Sequence, residues 1–261
     1  MFDYHMHSMV SFDSECAPED MIKAAKKAGL QEICFTDHYD FNDAFKEKRD
    51  LFTIEQYQNA YEKRGSEELR IRHGVEFGLT TWNQKELKEL LSAYDFDFVL
   101  GSVHYAGGYD PYFEEFWTHN GIDEAFEKYL LQTLECVKVH QDFDVLGHIN
   151  YVCKSAHSPT KKPLYYGDYA DICDEIMKTI AQKGIGMEIN TSGVDRVGEF
   201  LPSLDYLKRF KELGGQIITV GSDAHDDSRV GQYIPRALEM AKEVFGYVCT
   251  FEKRKPVFHK L

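Results

Sequence analysis

Several features are missing from this chain of 261 residues, and each absence narrows what it can be. No run of roughly 18 apolar residues occurs, so no helix is expected to cross a membrane. The N-terminal MFDYHMHS has no basic stretch followed by an apolar one, and functional residues begin at His5. A secretory leader is therefore not expected, and the predicted location is cytoplasmic. The six cysteines (Cys16, Cys34, Cys136, Cys153, Cys173, Cys249) form no C-x-x-C pair. That argues against a zinc ribbon or disulfide framework and for reduced, buried thiols. A run of Lys and Arg is also missing, and 44 acidic against 30 basic residues give a net charge of −14. Such a surface repels nucleic acid and anionic lipid, so neither a nucleic-acid nor a membrane partner is expected. Finally, no repeat, low-complexity tract or Pro/Ser-rich linker divides the chain. One domain over residues 1–261 is expected, with a hydrophobic share of 43% to supply its core.

What is present is an alternation of two patterns. Short apolar runs predict buried strands at Phe2–Tyr4, Glu32–Phe35, Arg70–Phe77, Phe96–Val103, Val145–Gly147, Gly186–Ile189 and Gln216–Val220. Between them, helical periodicity covers Pro18–Lys27, Thr53–Lys63, Asn83–Ala93, Ile122–His140, Asp168–Gln182, Ser203–Glu212 and Ile234–Phe245. Seven β–α alternations imply an α/β fold with a parallel sheet, open or closed into a barrel. Longer loops at 39–52, 105–121 and 151–167 follow strands, where barrel enzymes build their sites.

Candidate metal ligands gather at the carboxyl ends of these strands. His5 and His7 end the first, Asp13 lies in the next loop, and His38 ends the second. Glu76 ends the third, His104 the fourth and His148 the fifth, while Asp223 and His225 follow the seventh. Alternate residues of a strand share a face, so His5 with His7, and Asp223 with His225, are spaced to chelate. A lone H-x-H, or a lone D-A-H turn with a capping aspartate, is weak evidence of metal. A carboxylate such as Glu76 inside an apolar strand says more, because burying it unpaired is costly. Nine candidates exceed what one ion needs, and imidazole with carboxylate suits Zn, Fe or Mn. Two or three divalent ions sharing a carboxylate are expected. The remaining histidines (His73, His119, His140, His157, His259) fall at strand starts, in helices, loops or the tail, and are read as structural or surface residues.

The motifs YHMHS, FTDHYD, GVEFG, GSVHY, VLGHINY, EINTSG and VGSDAH together resemble the PHP (polymerase and histidinol phosphatase) superfamily, and within it the monofunctional histidinol-phosphate phosphatases. The resemblance runs from about residue 3 to about residue 245. It implies a distorted (β/α)7 TIM-like barrel and a trinuclear metal centre. His5, His7, Glu76 and Asp223 would surround one ion, and Glu76 would bridge to a second held by His104 and His148. Asp13, His38 and His225 would hold the third. The implied activity is hydrolysis of a small-molecule phosphate monoester, L-histidinol phosphate, by hydroxide held between metals. Broader phosphatase action on nucleotides or sugar phosphates, or nuclease action, are the alternatives.

Three divalent ions against Asp13, Glu76 and Asp223 would leave a local charge of about +3, enough to draw phosphate into an acidic protein. Arg196, just after the EINTSG strand end, is the first candidate for a phosphate clamp because its fork suits two phosphate oxygens. Lys154 stands where the resembling phosphatases tend to carry arginine, offering a point charge. Ser102 shares a strand face with His104 and is a candidate substrate contact. Asp13 and His225 are the candidate general acids. Asp37 is expected to support the ligands from behind. The aromatic loop of Tyr105, Tyr109, Tyr112, Phe113, Phe116 and Trp117 would either cover the pocket or pack onto the barrel rim, with Asp110, Glu114 and Glu115 nearby to attract an ammonium group. Oligomeric state is not legible.

Overall fold

The computed structural model describes residues 1–42, 47–62 and 64–261. Seven parallel strands form its centre in the order in which they were expected from the apolar runs. They are β1 (Phe2–Met6), β2 (Glu32–Phe35), β5 (Arg70–Gly78), β6 (Phe98–Ser102), β7 (Val145–Leu146), β8 (Gly186–Asn190) and β9 (Ile218–Gly221). The circle closes between the first and last strands through a parallel bridge from Met6 to Ala224. There the His7 amide donates to the Ala224 carbonyl at 2.8 Å and the Asp223 amide to the His5 carbonyl at 2.7 Å. The sheet is thus a barrel, distorted by strands of unequal length.

Helices pack around it: α1 (Pro18–Lys27), α2 (Ile54–Tyr61), α3 (Gln84–Ala93), α4 (Glu114–Thr118), α5 (Ile122–Val139), α6 (Ala170–Gln182), α7 (Val194–Val197), α8 (Leu204–Glu212) and α9 (Ile234–Val244). Local chemistry sets their ends. Helix α1 begins on Pro18, carries Glu19 and Asp20 in its first turn and Lys26 and Lys27 in its last, matching the helix dipole. Thr53 and Gln56 close a capping box at the start of α2. None of these helices is long and apolar enough to cross a membrane, among the described residues.

Two hairpins depart from simple alternation. After β2 the chain resumes as β3 (His38–Asn42) and returns as β4 (Glu47–Leu51). Strand β2 pairs with the first half of β5 and β3 with the second, His38 lying opposite Glu76. The region 39–52 is therefore largely a hairpin where a loop was expected, and residues 43–46 lie outside the described residues. At the other end of the chain, β10 (Tyr247–Glu252) pairs with β11 (Lys255–Lys260). This second hairpin closes the floor of the barrel. Cys249 and Phe251 join Tyr4, Cys34, Phe98, Leu100 and Val145 in an inner apolar cluster separate from the large core beneath the helices. The Phe251 amide donates to the Tyr4 hydroxyl at 2.9 Å, and Arg254 reaches Asp144 at 2.5 Å.

Strand β1 carries a register shift between Asp3 and Met6. In a regular strand Tyr4 and Met6 would share a face; here Tyr4 joins the inner cluster and Met6 the outer core. The irregularity re-aims the strand end on which His5 and His7 sit, a common use of such bulges.

Candidate metal centre

Immediately above the apolar floor the strand ends turn polar, and all nine sequence-predicted ligands meet there. Glu76, fully buried, lies at the middle. Its Oε2 is 3.3 Å from His5 Nε2, 3.5 Å from His7 Nε2 and 3.1 Å from His38 Nδ1. Its Oε1 is 3.4 Å from His104 Nε2 and 3.0 Å from His148 Nε2. Asp223 Oδ1 lies 3.7 Å from His5 Nε2 and 3.6 Å from His7 Nε2. On the open side Asp13 Oδ2 is 3.1 Å from His225 Nε2 and 3.5 Å from His38 Nε2.

The imidazoles share a local rule. Each of four rings is tied at Nδ1, leaving Nε2 toward the centre. Glu188 holds His5 at 2.7 Å, Ser11 Oγ holds His7 at 3.0 Å, Asp40 holds His104 at 3.1 Å, and the Asp223 carbonyl holds His225 at 3.0 Å. Such partners fix the tautomer and the ring orientation of metal-binding histidines. Asp37 acts one step further back. It receives the hydroxyls of Tyr61 and Ser11, and Ser11 Oγ in turn meets His7 and accepts the His38 amide at 3.0 Å.

Two carboxylates in this arrangement were not assigned a role from sequence. Glu188, within the EINTSG motif, accepts the His148 amide at 2.9 Å besides holding His5. Gly221 makes room for that contact, since a Cβ there would come within 2.3 Å of His5 Cβ and 2.4 Å of Glu188 Oε1. Asp40 comes from the β3 strand, two residues after His38. A buried Glu in a strand and an aspartate in a D-H-x-D run were the available signals.

The donor set and the buried atoms fit divalent cations. Neither oxygen of Glu76 has a well-directed hydrogen bond among the described residues, nor does His148 Nδ1 or His38 Nδ1. Orphaned carboxylate oxygens encircled by imidazole nitrogens are costly without an ion between them. Asp223 holds a left-handed backbone (φ 55), a conformation aspartate tolerates better than most residues and one that recurs at functional positions.

Electrostatics say the same. Burial opposes ionisation of Glu76, yet His5, His38 and His104 hold its pKa well below the usual carboxylate range. Burial likewise opposes charge on Asp223, but Lys154, His5 and His225 hold it well below. The rings respond in kind. Although burial disfavours their charge, His5 is raised well above its ordinary value by Glu188, Glu76 and Asp223, and His38 by Glu76, Asp13 and Asp40. His104 is raised to about 10, chiefly by Asp40 and Glu76 working against burial. His7 falls well below, through burial and then the neighbouring His225 and His38. Without cations, protons supply the positive charge that these carboxylates demand. Cation binding should therefore expel protons and tighten as pH rises towards the His104 value of about 10, because raised imidazole pKa values keep competing protons bound. Calorimetric titration of zinc in buffers of different ionisation enthalpy checks this. Identical heats in all buffers, with affinity independent of pH, would contradict it.

A cavity of about 300 Å³ opens above the centre. Asp13, His38, Glu76, His104, His148, Asp223 and His225 form its polar floor, with Phe12, Tyr105, Asp110, Tyr112, Phe113 and Tyr151 as walls. The aromatic loop divides its labour. Tyr105, Tyr112 and Phe113 face the cavity, while Phe116 and Trp117 are buried and pin the loop, Trp117 donating to the Pro111 carbonyl at 2.8 Å. Tyr109 stacks on His119. Glu114 and Glu115 are exposed and do not line this cavity, whereas Asp110 does.

The remaining candidates are placed differently. Lys154 reaches the centre, its Nζ 2.5 Å from Asp223 Oδ2. Arg196 lies in an adjoining cleft with Lys154, Ser192 and Arg229, and its guanidinium donates to the carbonyls of Ser155 (2.9 Å), Ala156 (3.2 Å) and Ser158 (3.1 Å). Ser102 does not line the cavity, contrary to expectation. It is fully buried, its Oγ filling the space over Gly147, where a Cβ would come within 2.3 Å of it. Strand β6 ends at Ser102, so the alternate-residue rule no longer relates it to His104. His73, His119, His140 and His259 bond or stack elsewhere, away from the cavity.

Fold and centre define a class: a parallel α/β barrel enzyme with a many-membered imidazole–carboxylate cluster suited to divalent cations at its C-terminal mouth. The chain belongs to the PHP domain family, whose profile matches residues 3–192. It is 34% identical over 254 residues to a protein of Clostridium acetobutylicum named "Probable histidinol-phosphatase", covering 97% of this chain and 98% of that one. It is 33% identical to the histidinol-phosphatase of Lactococcus lactis subsp. lactis, covering 97% and 95%. Among solved structures it is similar to the histidinol phosphate phosphatase of that organism complexed with zinc, L-histidinol and phosphate, with a TM-score of 0.84, 29% identity and 98% of each chain covered.

Proposed function

We propose that this protein is a histidinol-phosphatase, hydrolysing L-histidinol phosphate to L-histidinol and inorganic phosphate, with residues 1–261 as one catalytic unit. The observation that carries the reading is the fully buried Glu76 among five imidazoles at the floor of a cavity. The similarity, over nearly the whole chain, to a histidinol phosphate phosphatase complexed with zinc, L-histidinol and phosphate supports the choice of substrate. Six cysteines, five of them buried and none in a disulfide among the described residues, favour the reducing cytoplasm as its location.

Two or three divalent cations, zinc among the suitable ones, would be held by His5, His7, Asp13, His38, Glu76, His104, His148, Asp223 and His225. When bound, such cations polarise phosphoryl oxygens and lower the pKa of water. The protein's own residues do the rest. The aromatic walls exclude water from the substrate's organic part, and Asp110 offers it a carboxylate. With two cations bound and the outer position empty, His225 and Asp13, 3.1 Å apart and partly exposed at the mouth, would be free to exchange a proton with the leaving oxygen. Asp40 and Glu188 bring the local carboxylates to five, so three divalent cations would leave a charge of only about +1. The basic side chains at the mouth therefore matter more than a count of Asp13, Glu76 and Asp223 alone suggested.

Lys154, at Asp223 and shared by both cavities, is the better-placed phosphoryl contact. Arg196 organises the 155–158 segment beside it. Lys154→Ala is expected to raise KM about tenfold while metal content stays unchanged, since a charged hydrogen bond is worth about 1.5–3 kcal/mol. Arg196→Ala should also raise KM, by a smaller factor. Steady-state kinetics with metal analysis tests both, and unaltered KM in both variants removes the basic side chains from phosphate binding.

The substrate itself is tested by measuring phosphate release from L-histidinol phosphate, a mononucleotide and single-stranded DNA, with manganese, zinc or iron supplied. Preferential turnover of histidinol phosphate is expected. Equal turnover of all monoesters would replace the reading with a broad phosphatase, and DNA digestion with a nuclease.

A further inference from the structure

We infer that Asp40 is a positioning residue that orients two ligand imidazoles from different strands and so couples the two sides of the metal centre; this rests on the nine-ligand centre proposed above and extends it. Asp40 lies two residues after His38 on β3, on the same face. Its Oδ1 and Oδ2 are 3.2 and 3.1 Å from His104 Nδ1, and Oδ2 is 3.2 Å from His38 Nδ1. The other three tied rings have separate partners, whereas this carboxylate serves two.

The consequence follows from imidazole chemistry. A neutral ring carries one N–H, and the other nitrogen holds the lone pair that a cation needs. With Nδ1–H committed to Asp40, His104 directs Nε2 at Glu76 Oε1, 3.4 Å away; His38, whose Nδ1 lies 3.2 Å from the same carboxylate without a well-directed hydrogen bond, turns Nε2 to Asp13, 3.5 Å away. His38 has a competing choice, because its Nδ1 is also 3.1 Å from Glu76 Oε2. Asp40 tips that balance, and its ties span the Oε1 side of Glu76 and the outer Asp13–His225 side.

The backbone is shaped around this carboxylate. Gly78 ends β5 directly beside it, and a Cβ at that position would lie 1.8 Å from Asp40 Oδ1 and 2.9 Å from Cγ. No side chain fits there while Asp40 keeps its place. The same pairing of β3 with β5 that sets His38 opposite Glu76 sets Asp40 against Gly78. One hairpin thus delivers a ligand and its guide together.

Two variants test the inference by metal binding alone, without reference to substrate. Asp40→Ala removes both acceptor oxygens, so neither ring keeps its partner. Gly78→Ala keeps Asp40 and displaces it. Each chain is stripped of metal, titrated with zinc, and measured by mass spectrometry for stoichiometry and by cobalt(II) absorption for ligand geometry. Both variants are expected to lose about 10–100-fold in affinity for the cations held through His104 and His38, with an altered cobalt spectrum. The equivalent held by His5, His7 and Asp223 should keep wild-type affinity, which general misfolding would not allow. Either variant that folds, as judged by circular dichroism, decides the matter. Wild-type stoichiometry, affinity and cobalt spectrum in that variant overturn the role of Asp40. A wild-type chain that binds no cation fails the proposed centre itself, a distinct result.

Discussion

Glu76→Ala is expected to remove both the metal and the activity while leaving the barrel folded. The two oxygens of this side chain face different imidazoles, three on one side and two on the other. Asp40 also touches one member of each group, His38 and His104, but Glu76 is the carboxylate that faces all five, so its loss leaves His5, His7 and His148 with no link across the centre. Activity should fall roughly a thousandfold or more, since cations contribute several kcal/mol to such reactions and each 1.4 kcal/mol is a factor of about ten. The fold should survive because the charge removed is balanced by protons on His5, His38 and His104, which they would release once the carboxylate is gone. Metal analysis, phosphate release and circular dichroism on the same preparation check the three parts together. A variant that keeps its full metal complement and its turnover would show that Glu76 bridges nothing.

Phe251→Ala is expected to have its effect at the opposite end of the barrel, on stability rather than chemistry. Phe251 is 1% exposed and packs against Phe98 with ring centroids 4.9 Å apart. Its backbone is clasped by the Tyr4 hydroxyl. Truncating a buried phenylalanine costs about 3–5 kcal/mol, because the cavity left behind relaxes only in part. For a chain of this size that lowers the thermal midpoint by roughly 10 °C. Zinc stoichiometry should stay at the wild-type value, since the floor supports the strands but supplies no ligand. A change below about 1 kcal/mol in denaturant unfolding would mean that the hairpin does not plug the barrel.

How much of this was legible beforehand depended on the kind of signal. The seven barrel strands were readable because parallel strands buried on both faces are largely apolar runs, as in Phe98–Ser102 and Ile218–Gly221. The candidate ligands were readable as a cluster because their residue types recur at strand ends. The hairpins were not. FNDAFKEKRDL is polar enough to pass for a loop, and KPVFHK is an exposed edge strand whose only guide is its pairing with β10. Glu188 and Asp40 escaped notice because a carboxylate that grips a ligand from behind has no spacing rule; only the folded arrangement shows which nitrogen it meets. Ser102 misled for a related reason, as alternation holds only while the strand lasts. Arg196 shows a further limit: its position beside the site was legible, but three backbone carbonyls claiming its guanidinium were not.

The closure of the barrel between β1 and β9 has a bearing on how the enzyme matures. His5 and His7 leave the ribosome well before Asp223 and His225, and the hairpin that seats beneath Tyr4 comes later still. A nascent chain therefore holds its first histidines with no completed cradle while the intervening strands are made. The cluster that includes His5, His7 and Asp223 exists only once β1 and β9 have met, a contact of long sequence separation.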